Sequence, residues 1–191
     1  MKIICVALAL LPYFYRTMCA SPTKIFLIGL MGSGKSYWGR HLAMHFRYPF
    51  LDLDKGIEIA EQKTISEIFE NMGEQYFRQV ERDTLHKQST QYSKFIMSCG
   101  GGTPCFFDNM EWMKANGTVV WLNPSMEVLA GRLLAGREKR PLIKNATCEN
   151  DIIETLEKLM EARMSFYNQS DCIITEAFPT IETFENLLKH A

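Results

Sequence analysis

The sequence predicts a three-layer α/β domain built on a five-stranded parallel sheet. Three observations carry that expectation. Five short apolar runs alternate with longer helix-like stretches, the pattern of parallel strands with helices packed on both faces. A glycine-rich loop falls between the first run and the first helical stretch. And 191 residues, 47% apolar and 23% charged, without internal repeat or low-complexity linker, suit one domain with a sizeable core.

The elements follow in chain order. Lys24 to Gly29 reads as a buried first strand, and Lys35 to Phe46 as the helix after it. Phe50 to Asp54 is a second short strand, Phe95 to Ser98 the third, Thr118 to Leu122 the fourth and Cys172 to Thr175 the fifth. Helices are expected over 56–71, 74–90, 106–116, 125–135, 150–168 and 180–190. Two segments break the alternation. Residues 54–90 hold more helix than a simple crossover requires, which suggests a substrate-binding insertion. Residues 136–149 are polar and contain Pro141, and read either as a mobile lid or as a passive surface loop.

The formal net charge of −1 argues against a nucleic-acid coat or a polybasic membrane binder, so any anionic ligand must be met by a few placed Lys and Arg residues. Six cysteines include no C-x-x-C pair and no zinc spacing, which reads as free thiols in a reducing cytosol. His41 and His45 are four apart on a helix but lack a third ligand or an H-E-x-x-H pattern, so two solvated helix residues are expected. Residues 1–22 begin with a charged and apolar stretch resembling a secretory signal. The apolar run is too short to span a bilayer, and Met18-Cys19-Ala20 is a poor cleavage site. The expectation is an extension or an over-long start, with Met18 as initiator and residues 23–191 as the single domain.

The strongest chemical signal is Gly29-Leu30-Met31-Gly32-Ser33-Gly34-Lys35-Ser36, a full G-x-x-x-x-G-K-[ST] match between a strand and a helix. Gly32, Ser33 and Gly34 let backbone N–H groups turn toward phosphate oxygens, and the helix N-terminus adds partial positive charge. Lys35 would reach the β- and γ-phosphates of ATP, and Ser36 would ligate Mg²⁺. In a strand, Asp52 and Asp54 share one face beside this loop, one carboxylate for the metal shell and one for the acceptor hydroxyl's proton; Asp54 could instead cap the following helix. Gly100, Gly101 and Gly102 follow the third strand, where they allow close approach of a ligand to the backbone or make a flexible turn. Arg163 falls within the apolar stripe Ile152, Leu156, Leu159, Met160 and Tyr167, so it faces inward toward an anionic ligand or a structural carboxylate. Arg78 and Glu81, three apart on a helix, could pair on its surface. Arg140 lies in the candidate lid, where it could stabilise transferred phosphate.

Taken together, these residues resemble shikimate kinase over 24–190. The resemblance rests on the 29–36 loop, Asp-Leu-Asp at 52–54, Gly-Glu-Gln-Tyr-Phe-Arg at 73–78 with Glu81, the three glycines, Arg140-Pro-Leu, and Arg163 with Tyr167. It implies a nucleoside-monophosphate-kinase-like fold with a closing lid, and transfer of the ATP γ-phosphate to the 3-hydroxyl of shikimate in aromatic amino-acid biosynthesis. By position it implies that Asp54 holds and deprotonates the acceptor. Arg78 and Arg163 bind its carboxylate, Gly100 to Gly102 line its ring site, and Phe69 and Phe77 wall the pocket. It further implies that Lys35 and Arg140 neutralise the moving phosphoryl group, that Asp52 and Ser98 hold Mg²⁺ through water, and that Arg132 covers the adenine. A cytoplasmic monomer is expected. The usual Ser-Thr after the loop lysine is Ser36-Tyr37 here, Thr103-Pro104 stiffens the segment after the glycines, and Arg132 is offset by about one residue from the usual adenine-covering arginine.

Overall fold

The computed structural model describes residues 23–134 and 141–189. Residues 1–22, 135–140 and 190–191 lie outside the described residues, and with them the first part of the lid expected at 136–149, Arg140 included.

The five strands are β1 (Lys24–Ile28), β2 (Phe50–Asp52), β3 (Phe95–Ser98), β4 (Thr118–Leu122) and β5 (Cys172–Ile174). They form one sheet in the order β2-β3-β1-β4-β5, with every pairing parallel. β1 is central and buried on both faces, so its alternate residues feed two cores. Phe26 and Ile28 join one cluster with Met97, Val119 and Trp121; Ile25 and Leu27 join the other with Ile96, Val120 and Leu122. The helices α1 (Lys35–Phe46) and α7 (Ile181–Leu188) cover the second face, through Leu42, Ala43, Phe184 and Leu188. The first face is covered by α2 (Leu53–Glu61), α3 (Ile65–Gln91), α4 (Asn109–Asn116), α5 (Met126–Leu134) and α6 (Glu149–Tyr167). The result is the expected three-layer arrangement.

The larger departures from the sequence expectation lie between β2 and α4. β2 stops at Asp52, whose carboxylate accepts from the Lys55 N–H and caps α2, so Leu53 and Asp54 are helical. Asp54 is therefore neither a strand residue nor the cap; the neighbouring Asp52 takes the capping role and turns the chain one residue pair earlier. The helices expected at 56–71 and 74–90 instead run 53–61 and 65–91. A reciprocal Thr64–Glu67 capping box starts the second, and Gly73 breaks it internally at φ 81°, ψ 171°. The helix expected at 106–116 begins at Asn109, after a 3₁₀ turn at Thr103–Cys105.

Each parallel strand delivers its C-terminal end to the same edge of the sheet, where the loops after β1, β2 and β3 meet. That edge carries the residues singled out above.

Candidate active site

The loop after β1 forms a cradle by steric necessity. Gly29, Gly32 and Gly34 have φ of 137°, 80° and 96°, and a Cβ on Gly29 would come within 2.4 Å of the Leu122 carbonyl oxygen. Gly34 is the N-cap of α1 and offers no side-chain cap, and the first turn carries no acidic residue. The N-terminal end of α1 is thus positioned to meet an external anion. The Lys35 ammonium folds back to donate to the carbonyls of Gly29 and Leu30, both at 2.9 Å. This holds a positive charge over the loop.

At the foot of α1, Ser36 Oγ donates to Asp52 Oδ2 at 3.2 Å and lies 3.1 Å from Ser98 Oγ. Ser36, Asp52 and Ser98 come from α1, β2 and β3, and the β2–β3 register sets Asp52 directly beside Ser98. Two hydroxyls and one carboxylate are hard oxygen donors, few enough to leave room for water and phosphate oxygens. That donor set fits Mg²⁺ rather than zinc or a soft metal. His41 and His45 do not join it: His41 contacts the Tyr37 carbonyl and His45 pairs with Glu185 on the outer face of α1.

Asp54, on the first turn of α2, faces this cluster. Its carboxyl is raised to about 6, first by the desolvation of the surrounding protein and then by the Asp52 and Glu81 carboxylates, with Lys35 pulling the other way. The residue as a whole is exposed, but its carboxyl is packed among protein atoms, and that desolvation is the first cause of the shift. Near neutral pH it remains mostly ionised and is well matched to accept a proton.

The three glycines after β3 have φ values outside the left-handed region, so conformational freedom is not their purpose. Their purpose is space. A Cβ on Gly100 would sit 3.3 Å from Asp54 Oδ1, one on Gly101 only 2.8 Å from Arg163 Nη1, and one on Gly102 only 2.8 Å from Arg78 Nη2. Each glycine lies under one of the candidate side chains, and together they bring an acid and two guanidinium groups around a single bare strip of backbone. The Tyr167 hydroxyl pins that strip by donating to the Gly101 carbonyl at 2.6 Å.

Arg163 is partly buried on α6 among the buried Ile152, Leu156, Met160 and Tyr167, and among the described residues no carboxylate pairs with it. The structural-carboxylate alternative thus finds no partner. Arg78 does pair with Glu81, and that pair is not a surface contact. The Arg78 side chain is 12% exposed, stacks 4.0 Å from the Phe106 ring centroid, and donates at 2.8 Å to Glu81, whose side chain is 1% exposed. Phe69 is half-exposed, with its ring centroid 4.5 Å from that of Phe77. Phe77 is itself buried, and backs both Phe69 and the Arg78 guanidinium.

Arg132 on α5 donates to the Gly32 carbonyl at 3.2 Å and to the Ala177 carbonyl, bridging the cradle to the segment after β5. Tyr37 is exposed, and its ring packs on Trp38 and His41 along α1. The structure thus gathers Gly32 to Ser36, Asp52, Asp54, Arg78, Ser98, Gly100 to Gly102 and Arg163 at one edge, with Arg132 at its rim. Sequence reading missed the roles of Glu81 and Thr103. The signal was present for Glu81: Phe77, Glu81, Thr84 and Leu85 fall at helical spacing on the buried face of α3, just as Arg163 does on α6.

A glycine-rich loop between a strand and a helix, a cluster of hard oxygen donors, a carboxylate and two guanidinium groups at one edge of a doubly wound parallel sheet are the arrangement of a P-loop small-molecule kinase. A family model for shikimate kinase matches residues 31–190. The chain is 39% identical over 150 residues to a shikimate kinase of Bacteroides fragilis, covering 78% of this chain and 83% of that one. It is 41% identical over 147 residues to one of Parabacteroides distasonis, covering 77% and 84%. A crystal structure of shikimate kinase from Bacteroides thetaiotaomicron matches with a TM-score of 0.78 at 35% identity, over 88% of this chain and 96% of that one. The Acinetobacter baumannii enzyme in complex with shikimate matches with a TM-score of 0.73 at 29% identity, over 92% and 93%. The chain belongs to the shikimate kinase family.

Proposed function

We propose that this chain transfers the γ-phosphate of ATP to the 3-hydroxyl of shikimate, using Mg²⁺. The observation that carries this reading is the strip Gly100 to Gly102, above which one carboxylate and two guanidinium groups converge. An acceptor with a hydroxyl at one end and a carboxylate at the other suits that arrangement.

In this reading Arg78 and Arg163 grip the acceptor carboxylate, which turns the ring's hydroxyl toward Asp54. Asp54 accepts the hydroxyl proton as the oxygen bonds to phosphorus. Lys35 swings from the loop carbonyls to the phosphates and neutralises charge on the moving group, with Arg140 joining it by position from the lid at 136–149. Ser36, with Asp52 and Ser98 through water, would hold Mg²⁺, which when bound neutralises charge on the β- and γ-phosphates. Arg132, at the rim of the cradle, would cover the adenine. Phe69 walls the acceptor side with Phe77 behind it, and residues 54–90 form the acceptor-binding region. A monomer is the catalytic unit in this reading. The need for ATP supports a cytoplasmic site of action.

The deciding assay supplies ATP and Mg²⁺ with shikimate, gluconate or a nucleoside monophosphate in parallel. Turnover with shikimate alone is expected. Turnover with one of the others and none with shikimate would overturn the reading, and ATP binding without turnover of any acceptor would leave a non-catalytic nucleotide-binding module.

A further inference from the structure

Thr103 is not among the residues assigned to substrate or nucleotide, yet its side chain is fully buried and polar. Its hydroxyl donates at 2.6 Å to Glu81 Oε1. The other oxygen of the same carboxylate accepts from Arg78 Nη1 at 2.8 Å. Thr103 is itself held on both sides: its N–H donates to the Gly100 carbonyl at 3.1 Å, and its own carbonyl accepts from the Asn109 side chain at 2.9 Å. A chain of hydrogen bonds therefore runs from Asn109 through Thr103 and Glu81 to Arg78, directly beneath the glycine strip.

Arg78 has a choice of carboxylates. Its Nε and Nη2 also donate to Glu74 on the solvent side, at 3.2 and 3.1 Å, and the Glu74 side chain is 57% exposed. Glu81 is the buried partner that draws the fork toward Gly102 and away from solvent. A buried carboxylate keeps its charge and its aim only while both oxygens are satisfied, because a lone buried acceptor carries the full desolvation penalty. Nothing in the Arg78–Glu81 pair itself satisfies Oε1; the Thr103 hydroxyl does.

We propose that Thr103 is a positioning residue for acceptor binding: its hydroxyl completes the buried Glu81 carboxylate, which in turn sets the Arg78 guanidinium over Gly102 where the acceptor carboxylate docks. The proposal rests on the reading that Arg78 binds that carboxylate.

The test uses the full chain carrying Thr103→Val, Thr103→Ser or Arg78→Lys, with shikimate and ATP varied separately. Thr103→Val is expected to raise the shikimate KM about tenfold, the scale of one hydrogen bond to a charged group, with the ATP KM within about twofold. Thr103→Ser, which restores the hydroxyl without the methyl, is expected to return the shikimate KM to within about twofold of the parent. A Thr103→Val enzyme with the parent shikimate KM, or one whose two KM values rise together, overturns the proposal. So does a serine variant as impaired as the valine one, since the methyl group's packing would then be what matters. If the valine variant does not fold, Thr103→Ala carries the same expectation. In a Glu81→Gln background, Thr103→Val should add less than about twofold, and full additivity overturns the relay. Arg78→Lys separates the two readings: an unchanged shikimate KM there refutes the role of Arg78, whereas a large rise there beside an innocuous Thr103→Val refutes the relay alone.

Discussion

A single methyl group added at Gly101 should weaken acceptor binding while leaving the fold intact. The new Cβ would stand 2.8 Å from Arg163 Nη1, 3.3 Å from the Gly29 carbonyl oxygen and 3.7 Å from the Tyr167 hydroxyl. Ordinary contact begins near 3.5 Å, so the guanidinium must move by about 0.7 Å. The Gly29 carbonyl is only slightly crowded, and the backbone at Gly101 is outside the left-handed region, so alanine imposes no strain of its own. The end of an arginine side chain yields easily; the geometry of a bidentate grip does not. Losing the aim of one charge-assisted pair is worth about 1.5–3 kcal/mol, or roughly 10- to 150-fold in the shikimate KM. The ATP KM should stay within about twofold. The melting temperature should hold or rise slightly, because alanine narrows the unfolded ensemble. Steady-state kinetics with each substrate varied in turn, plus a thermal melt, make the measurement. A parent-like shikimate KM would show that Arg163 does not need the space Gly101 leaves it, and an equal rise in the ATP KM would show that the strip serves the cradle instead.

Asp54→Asn should lower kcat by about 10²–10⁴-fold, the usual range for a positioned general base, with ATP affinity preserved in a direct binding measurement; unchanged turnover would remove Asp54 from its role. Because the Asp54 carboxyl is raised to about 6 and must be ionised to accept a proton, kcat/KM for shikimate should fall as pH drops through about 6, and this acid limb should vanish in the asparagine variant. The same raised value means the folded state binds more protons than the unfolded chain between the ordinary aspartate range and about 6, so this group's contribution to stability is lost as pH rises across that window. Asp54→Asn should therefore raise the melting temperature at pH 7 and change it little at pH 4; a lower value at pH 7 would contradict the crowding that raises the carboxyl. Asp52→Asn keeps a residue able to cap α2 but removes the charge beside Ser36 and Ser98. It should raise the Mg²⁺ concentration needed for half-maximal rate, read from a metal titration at fixed ATP.

The sequence by itself determined the sheet, the cradle and most of the side chains at the site. β1, β3 and β4 read correctly because buried parallel strands are continuous apolar runs, and α1 read correctly because the loop motif announces its first residue. Arg163 was legible because a charge within an apolar helical stripe requires an anionic partner, either a ligand or a structural carboxylate. Tertiary structure decided what local pattern cannot carry. Whether Asp54 lay in the strand, capped α2 or sat within it depended on where β2 left the sheet, and its last pair there is Asp52 with Ser98. The reason for three glycines was invisible along the chain, because the side chains they make room for come from α2, α3 and α6, far away in sequence. Glu81 looked like half of a surface ion pair until the packing of α3 placed it under the site with Thr103 behind it. The cradle was local and could be read from eight residues; the acceptor site is a meeting of distant elements, and burial, which belongs to the folded molecule, is what gives its charges their meaning.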